Sequence, residues 1–322
     1  MPQISHAYAV ARVRTAQKAL LSRAALEPLL SLAEKHLKRL GLKTLALADA
    51  LAQRARNEAC AFVRAVTPDA NATDCFLAKY DVLNLKTLVK ARALRMEDVP
   101  LSPNGALPVQ VLRTALEGEK YEALPEAYRT ALEEIARECA LAMDPLLCDA
   151  LLDRALFREI ARRLTSVREK EIHACFAARA DSANVRSALR ARGLGRDAAF
   201  ASRLFVPGGL LPPSELAPLV EAPERAKALV KDMPYAPFAL RGLAIYEKGG
   251  SLAAFEKQMD DYETSLMRAH RYEPVSLLPL VGYFVAREHD VATVRLIAAA
   301  VSARFAPERY ADFVREPYVL RG

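Results

Sequence analysis

Two sets of basic residues at helical spacing are the side chains of this sequence best suited to binding chemistry. They are Lys86, Lys90, Arg92 and, 100 residues later, Arg186, Arg190, Arg192, which we call the first and second basic ladders. Residues four apart share one face of a helix, so each ladder predicts a short line of positive charge. Such a line binds an acidic partner, lipid headgroups or a phosphate backbone, unless it is a solvated face that pairs with neighbouring Glu.

Motifs for catalysis and cofactor binding are lacking. The sequence has no G-x-x-x-x-G-K-[ST] loop and no G-x-S-x-G elbow. Gly193-Leu-Gly195-Arg-Asp-Ala198 has dinucleotide-fingerprint spacing, but it follows a basic helical segment where the fingerprint needs a strand. His173 and Cys175 could supply two metal ligands, yet no second pair lies at zinc-site spacing. We therefore predict no cofactor, no metal and no enzymatic activity; turnover by the isolated chain would contradict this.

An internal repeat surrounds both ladders. Residues 81–94 align without gaps on residues 181–194, and five of the 14 positions are identical. A Pro/Gly loop follows each copy, around Gly105 and Gly209, at an offset of 104 residues. A weaker third copy begins at Asp290 and keeps Arg295, but it has Thr in place of Asn and no Pro/Gly loop. A short echo of the repeat near residues 13–15 fits a ring in which the N-terminal helix completes the last unit.

Each copy contains an Asp-x-x-Asn pattern, Asp81 with Asn84 and Asp181 with Asn184. Asp and Asn cap helices because their side chains accept hydrogen bonds from unpaired backbone N–H groups. We therefore predict a short break between two helices at each pattern. A catalytic carboxylate pair is rejected, because Asp81 and Asp181 stand in equivalent units that pseudo-symmetry would keep apart.

The elements that carry these residues are predicted to be helices. The chain has 322 residues, with 52% apolar and 26% charged residues and a net charge of +7. Ala, Leu, Arg and Glu dominate, which favours helices over strands, and alternating strand patterns are absent. Helices are predicted over residues 49–66, 68–94, 145–180, 251–270 and 275–304, with Pro28, Pro125 and Pro145 in first turns. Breaks are predicted at residues 102–108, 206–213 and 233–237.

Composition also restricts location and partners. The longest uncharged stretch has 14 residues, fewer than the roughly 20 that cross a bilayer, so we expect no integral membrane segment. No basic region and apolar core mark an export signal, and the five scattered cysteines fit a reducing compartment. Aromatic residues are not interleaved with the ladders, so no nucleic-acid partner is expected.

The order and spacing of several short segments resemble a known family. They are Tyr8–Arg14, Leu20-Leu21, Tyr80–Lys86, Asp181–Arg186, Phe205–Gly209, Pro279–Glu288 and Val294–Ile297. Together they resemble the central-stalk C subunit of the A/V-type rotary ATPase, whose eukaryotic form is called the d subunit.

The resemblance implies an all-α, funnel-shaped molecule of three pseudo-equivalent helical units, over residues 1–120, 121–220 and 221–322. It further implies a non-catalytic rotor component on the cytoplasmic face of the membrane. Such a component lies between the D and F subunits of the rotor shaft and the proteolipid ring, and it transmits torque. We expect the two ladders and the loops at Gly105 and Gly209 to contact partners. The alternative is a helical-repeat scaffold that binds proteins on a concave face, although its repeats are usually shorter.

Overall fold

The computed structural model describes residues 4–26, 45–139 and 142–320. Over these ranges the chain forms α-helices, short 3-10 turns and connecting loops, and no β-strand occurs, which confirms the all-α prediction. A single isolated β-bridge joins Ser22 to Val319. The predicted first turn at Pro28 lies outside the described residues. None of the helices in these ranges is long and apolar enough to cross a membrane.

The α-helices in chain order are α1 (His6–Ala16), α2 (Leu45–Val66), α3 (Ala70–Ala93), α4 (Val109–Glu117), α5 (Glu126–Glu138), α6 (Pro145–Leu164), α7 (Lys170–Gly193), α8 (Ala198–Leu204), α9 (Pro213–Leu216), α10 (Arg225–Val230), α11 (Ala236–Glu247), α12 (Leu252–Ala269) and α13 (Leu278–Ser302). The first turn of α6 shows why such helices begin where they do. Asp144 accepts hydrogen bonds from Leu146 N and Leu147 N, and Pro145 occupies a position where no N–H is needed.

Helical periodicity located α2, α3, α12 and α13 to within four residues at each end. The single helix predicted over residues 145–180 is wrong, because α6 ends at Leu164 and α7 begins at Lys170. Hydroxyl groups explain the break. Thr165 Oγ1 donates to Arg162 O at 2.7 Å, and Ser166 Oγ donates to Arg163 O at 3.0 Å. Both bonds occupy carbonyls of the last helical turn.

The described residues divide into two compact units. One contains residues 4–26, 45–69 and 231–320, and the other contains 70–139 and 142–230. In the first unit α13 packs against α1, α2 and α12, and α11 packs against α12. In the second unit α3 packs against α4 and α6, α5 packs against α6, and α7 packs against α8. The core of the second unit includes Leu85, Leu112 and Leu152, each fully buried.

The helices α3, α7 and α13 carry the three copies of the sequence repeat, and we call them the repeat helices. They have 24, 24 and 25 residues. Each is followed by a residue with positive φ, at 54°, 64° and 58° for Arg95, Gly195 and Arg304. The next N–H in each case donates back to a carbonyl five residues earlier, at 2.8–2.9 Å. The three helices therefore end in the same Schellman-type turn.

Candidate functional site

The loop after α3 is fastened to the middle of that helix by two polar side chains. Asn84 Nδ2 donates to Ser102 O and Asn84 Oδ1 accepts from Ser102 N, both at 2.8 Å. Asp81 accepts from Ala106 N at 3.2 Å and from Leu107 N at 3.0 Å. Asp81 and Asn84 are 1% exposed, so these bonds are shielded from water. We call this arrangement the Asp/Asn clamp.

The second copy repeats the clamp bond for bond. Asn184 exchanges two hydrogen bonds with the backbone of Val206, at 2.8 and 2.9 Å. Asp181 accepts from Leu210 N at 2.9 Å and from Leu211 N at 3.0 Å. All four backbone partners lie 104 residues after those of the first copy, the offset at which the loop sequences align.

The clamp corrects the predicted role of these four residues. Helices α3 and α7 run without interruption through Asp81–Asn84 and Asp181–Asn184, so the predicted breaks are wrong. The side chains satisfy unpaired backbone N–H groups as expected, but those groups belong to a loop about 20 to 30 residues later and not to a helix start. A buried loop backbone needs such partners, because an unpaired buried N–H is costly.

Gly105 and Gly209 lie where the loop backbone touches the clamp carboxylates. A Cβ atom at Gly105 would be 1.9 Å from Asp81 Oδ1, and one at Gly209 would be 2.0 Å from Asp181 Oδ1. Both distances are far below van der Waals contact, so only glycine fits. The structure thus gives these two residues a packing role, and their contact with a partner stays a prediction.

In the third copy the N-terminal segment takes the place of the missing loop. Asp290 of α13 is 7% exposed, and its Oδ2 accepts from Leu21 N at 3.0 Å. Thr293, which replaces the Asn, is also buried. Arg295 donates to Asp49 of α2 at 2.6 Å on the surface. The N-terminal segment therefore supplies a backbone N–H to the third copy, through Leu21, which follows α1 and the echo at residues 13–15. The ring that this echo predicts stays a prediction.

Burial makes two of these carboxyl groups weaker acids than usual. It raises the pKa of Asp81 to about 7, although the hydrogen bonds from Leu107 and Ala106 act in the opposite direction. Burial also raises the pKa of Asp290 to about 7, with the bond from Leu21 opposing it. Both groups therefore change charge close to neutral pH in the folded protein.

The first basic ladder faces acidic residues of α6. Lys86 Nζ lies 2.6 Å from Asp153 Oδ1, and Lys90 Nζ lies 2.8 Å from Asp149 Oδ1. Asp149 and Asp153 are four residues apart on α6, which matches the spacing of the two lysines on α3. The charge of these two lysines is therefore balanced within the chain.

The second basic ladder has different surroundings. Arg186 is half-buried, whereas Arg190 is exposed and makes no ion pair with any residue that the structure describes. Arg192 NH1 donates to Val220 O at 3.2 Å and to Glu221 O at 2.8 Å. Its counterpart Arg92 donates to Leu116 O at 3.1 Å, again 104 residues earlier, so the last member of each ladder holds a following turn.

Exposed apolar side chains at the ends of the repeat helices were missed by the sequence reasoning. Leu94 is 71% exposed, Leu194 is 69% exposed and Phe305 is 48% exposed. Leu94 and Leu194 are identical in the repeat alignment, and each follows the last residue of its helix. The recurrence of Leu94 and Leu194 was the sequence signal that could have identified these residues. An exposed apolar residue that recurs at the end of two equivalent helices indicates a surface that a partner covers.

A cluster of acidic and imidazole groups lies between α12 and α13. Single ligand atoms of Asp260, Glu263 and His289 approach within 4.8 Å of one another, a spacing that could hold a cation. Arg315 donates to Asp260 Oδ2 at 3.0 Å, and Thr264 Oγ1 lies 2.8 Å from His289 Nδ1. A guanidinium thus already provides positive charge beside Asp260. The predicted candidate His173 instead bonds through Nε2 to Val167 O at 2.9 Å.

Comparison with known proteins gives a consistent result. Residues 9–313 match the family described as ATP synthase (C/AC39) subunit. The chain is 27% identical over 259 residues to the C subunit of the A-type ATP synthase from Haloferax volcanii, covering 72% of this chain and 70% of the relative. It is 26% identical over 242 residues to the protein of the same name from Halorubrum lacusprofundi, covering 71% and 69%. The Pyrococcus furiosus protein of that name is 26% identical over 139 residues, covering 42% and 37%.

Proposed function

Because this chain belongs to the ATP synthase C/AC39 family, we propose that it is a non-catalytic rotor component of an A/V-type ATPase. In this role it links the D and F subunits of the shaft to the proteolipid ring and transmits torque for ATP-driven or ATP-synthesising ion transport. The family match over residues 9–313 carries the proposal, since it includes all three repeat helices. The protein would act at the cytoplasmic face of the membrane as a peripheral component.

The proposal includes a funnel of three pseudo-equivalent units, over residues 1–120, 121–220 and 221–322. Three repeat helices of nearly equal length, each with a buried Asp that accepts from a backbone N–H and each with the same C-terminal turn, support it. Solution scattering tests this arrangement. A compact particle agrees with the funnel, whereas an elongated arc would favour the helical-repeat scaffold.

A torque-bearing protein must resist deformation, and the clamps supply local stiffness. Each of the two Pro/Gly loops is held by four hydrogen bonds to buried side chains of a repeat helix. Bonds that are excluded from water open less readily than exposed ones. Fastened loops are therefore suitable as fixed contact points for a partner that must not slip.

Among the residues proposed for partner contact, the second ladder is the stronger candidate. Lys86 and Lys90 are balanced by α6, whereas Arg190 is exposed and free to meet an acidic surface. The exposed Leu94 and Leu194 add apolar area, which interfaces bury. We propose that Arg190 and the nearby helix end contact another protein of the complex.

Co-expression with a candidate D and F shaft pair tests the function. Size exclusion with light scattering is expected to show a one-to-one complex of this chain with the shaft. The same measurement is made for Arg190→Glu and for a matched control, Arg168→Glu, which reverses an exposed charge outside the ladders. A second set of runs uses a purified proteolipid ring.

These binding measurements distinguish contact with the shaft, contact with the ring and the absence of a rotor function. Loss of the shaft complex in Arg190→Glu and at high salt, but not in Arg168→Glu, would assign the second ladder to the shaft. Loss of ring binding alone would assign it to the ring. If neither partner binds under any condition, the rotor function is wrong and the scaffold is favoured.

A further inference from the structure

Two cysteine sulfurs lie in contact at the junction of α5 and α6. Cys139 Sγ and Cys148 Sγ are 3.6 Å apart, although the residues are nine positions apart in the sequence. Cys139 closes the C-terminus of α5, and its N–H donates to Ile135 O at 2.9 Å. Cys148 lies in the first turn of α6, where its N–H donates to Asp144 O at 3.0 Å. The two helix ends thus hold the two sulfurs in direct contact, and a disulfide requires them to approach from 3.6 Å to about 2.05 Å.

The two thiols differ in access to solvent. Cys148 is 1% exposed, whereas Cys139 is partly exposed. Cys139 lines an open pocket of about 370 Å³, together with Arg92, Leu116, Tyr121 and Met143. The other three cysteines, Cys60, Cys75 and Cys175, are buried. A small oxidant therefore reaches Cys139 first and finds a second thiol directly behind it.

We propose that Cys139 and Cys148 form a peroxide-sensitive dithiol, whose oxidation to a disulfide covalently links the end of α5 to the start of α6. The Cys139 thiolate attacks hydrogen peroxide, so that an S–O bond forms, the O–O bond breaks and hydroxide leaves. The Cys148 sulfur then attacks the resulting sulfenic acid, so that the S–S bond forms and the S–O bond breaks. The hydroxyl group leaves as water with the Cys148 proton, and the hydroxide takes up the proton that Cys139 released. Overall, two thiols and one peroxide give one disulfide and two waters.

Burial assigns the order of the two steps. It raises the pKa of Cys148 to about 12, and the hydrogen bond with Cys139 acts in the same direction. The raised pKa keeps Cys148 protonated as a thiol, with its sulfur in contact with Cys139 Sγ. That arrangement favours attack by Cys139 on the oxidant and leaves Cys148 to complete the disulfide.

The disulfide would lie beside the first ladder. Cys148 immediately precedes Asp149, whose carboxylate pairs with Lys90. The pocket that gives access to Cys139 is also bordered by Val89 and Arg92 of α3. Oxidation would therefore fix the start of α6, which supplies the acidic partners of that ladder. This inference stands apart from the proposed rotor function, because its test needs no partner protein.

The full reduced chain is treated with hydrogen peroxide, quenched, unfolded and assayed for free thiols. We expect the count to fall from five to three, because one disulfide consumes two thiols. Trypsin leaves both cysteines on one peptide, residues 138–154, since the flanking arginines are Arg137 and Arg154. Cleavage at Met143 then separates that peptide into two fragments unless a disulfide joins them.

Two variants complete the test. In Cys148→Ala, Cys139 is expected to oxidise beyond the sulfenic acid without losing a second thiol, and the thermal midpoint is expected not to rise on oxidation. The matched control Cys75→Ala removes a buried thiol of α3 and is expected to form the disulfide as the wild type does, with a midpoint raised by a few degrees. Disulfide formation through any other cysteine, dimers linked through Cys139, or Cys148 still open to alkylation after Cys139 has oxidised would each overturn the proposal.

Discussion

The first and second basic ladders have the same spacing on equivalent repeat helices, yet the structure surrounds them differently. Helix α6 places Asp149 and Asp153 opposite Lys90 and Lys86, whereas Arg190 is exposed without an ion-pair partner among the described residues. The spacing on one helix fixes only the direction in which a charge points. The sequence of the helix packed against it decides whether that charge is balanced within the chain.

The Asp/Asn clamps show the opposite behaviour. Both copies keep the same four hydrogen bonds, and the last ladder members, Arg92 and Arg192, reach equivalent backbone carbonyls. Residues that bond to backbone groups of their own repeat are thus retained together with the loop they hold. Residues that bond to side chains of another helix are free to diverge.

The largest effects are expected at the clamp glycines. Gly105→Ala and Gly209→Ala should each lower the free energy of unfolding by about 3 kcal/mol, because the new Cβ would overlap a buried carboxylate. Urea unfolding measures both. Gly193→Ala is the control, since a Cβ there meets nothing within 4 Å, and it should be neutral or slightly stabilising. A large loss at one clamp glycine and none at the other would show that the two loops are not equivalent.

Removal of the clamp carboxylates should come next. Asp81→Ala and Asp181→Ala each leave two backbone N–H groups without their acceptor, at an expected cost of about 2 to 3 kcal/mol. Asp290→Ala leaves only one such group, that of Leu21, so about 1 to 2 kcal/mol is expected. Thermal and urea unfolding of the three variants test the ranking. A loss at Asp290 larger than at Asp81 would contradict it.

Titration of Asp81 gives a pH dependence of known sign. Burial raises its pKa from 3.8 to about 7 in the folded state, so the folded protein keeps a proton that the unfolded chain releases. The stability of the wild type relative to Asp81→Asn should therefore fall as the pH rises from about 4 to about 7, by about 3 kcal/mol. Unfolding curves across this range measure the difference, and other titrating groups cancel because both proteins contain them.

A rise in the relative stability with pH would show which of two opposing effects on Asp81 is the larger. If the wild type gains stability over Asp81→Asn as the pH rises, the bonds from Ala106 and Leu107 stabilise the carboxylate by more than burial destabilises it. Asp290→Asn repeats the comparison in the third copy, where the backbone bond from Leu21 and the charge of Arg287 oppose burial. Because burial raises the pKa of both groups to about 7, a fall of similar size is expected for Asp290 and Asp81.

Much of the fold could be predicted from the sequence because it depends on local patterns. Apolar periodicity located α2, α3, α12 and α13, and Pro and Gly located both clamped loops. The repeat alignment identified Asp81 and Asn84 as special positions before their partners were known. The break after Leu164 was missed because Thr165 and Ser166 are weak signals, which act only through hydroxyl bonds to their own helix.

The sequence could not predict the contacts that depend on distant segments. A buried Asp in a helix and a capping Asp look alike until the loop that supplies the N–H groups is placed beside it. Likewise, the pairing of Lys86 with Asp153 spans 67 residues, and no local pattern shows that α3 packs on α6. Cys139 and Cys148 looked like scattered apolar residues, because a separation of nine positions gives no C-x-x-C signal.

The smallest effects on stability are expected at the ladders themselves. Lys90 and Asp149 are each more than a third exposed, so solvent screens their attraction. A double-mutant cycle of Lys90→Gln and Asp149→Asn should give a coupling of about 0.5 kcal/mol, and Arg190→Gln should leave the free energy of unfolding unchanged. Binding to the shaft or ring should show the reverse order, with Arg190→Gln weakening the complex and Lys90→Gln leaving it intact. Strong coupling between Arg190 and any acidic residue of the chain would mean that the second ladder is structural. A binding loss confined to Lys90→Gln would mean that the first ladder contacts the partner.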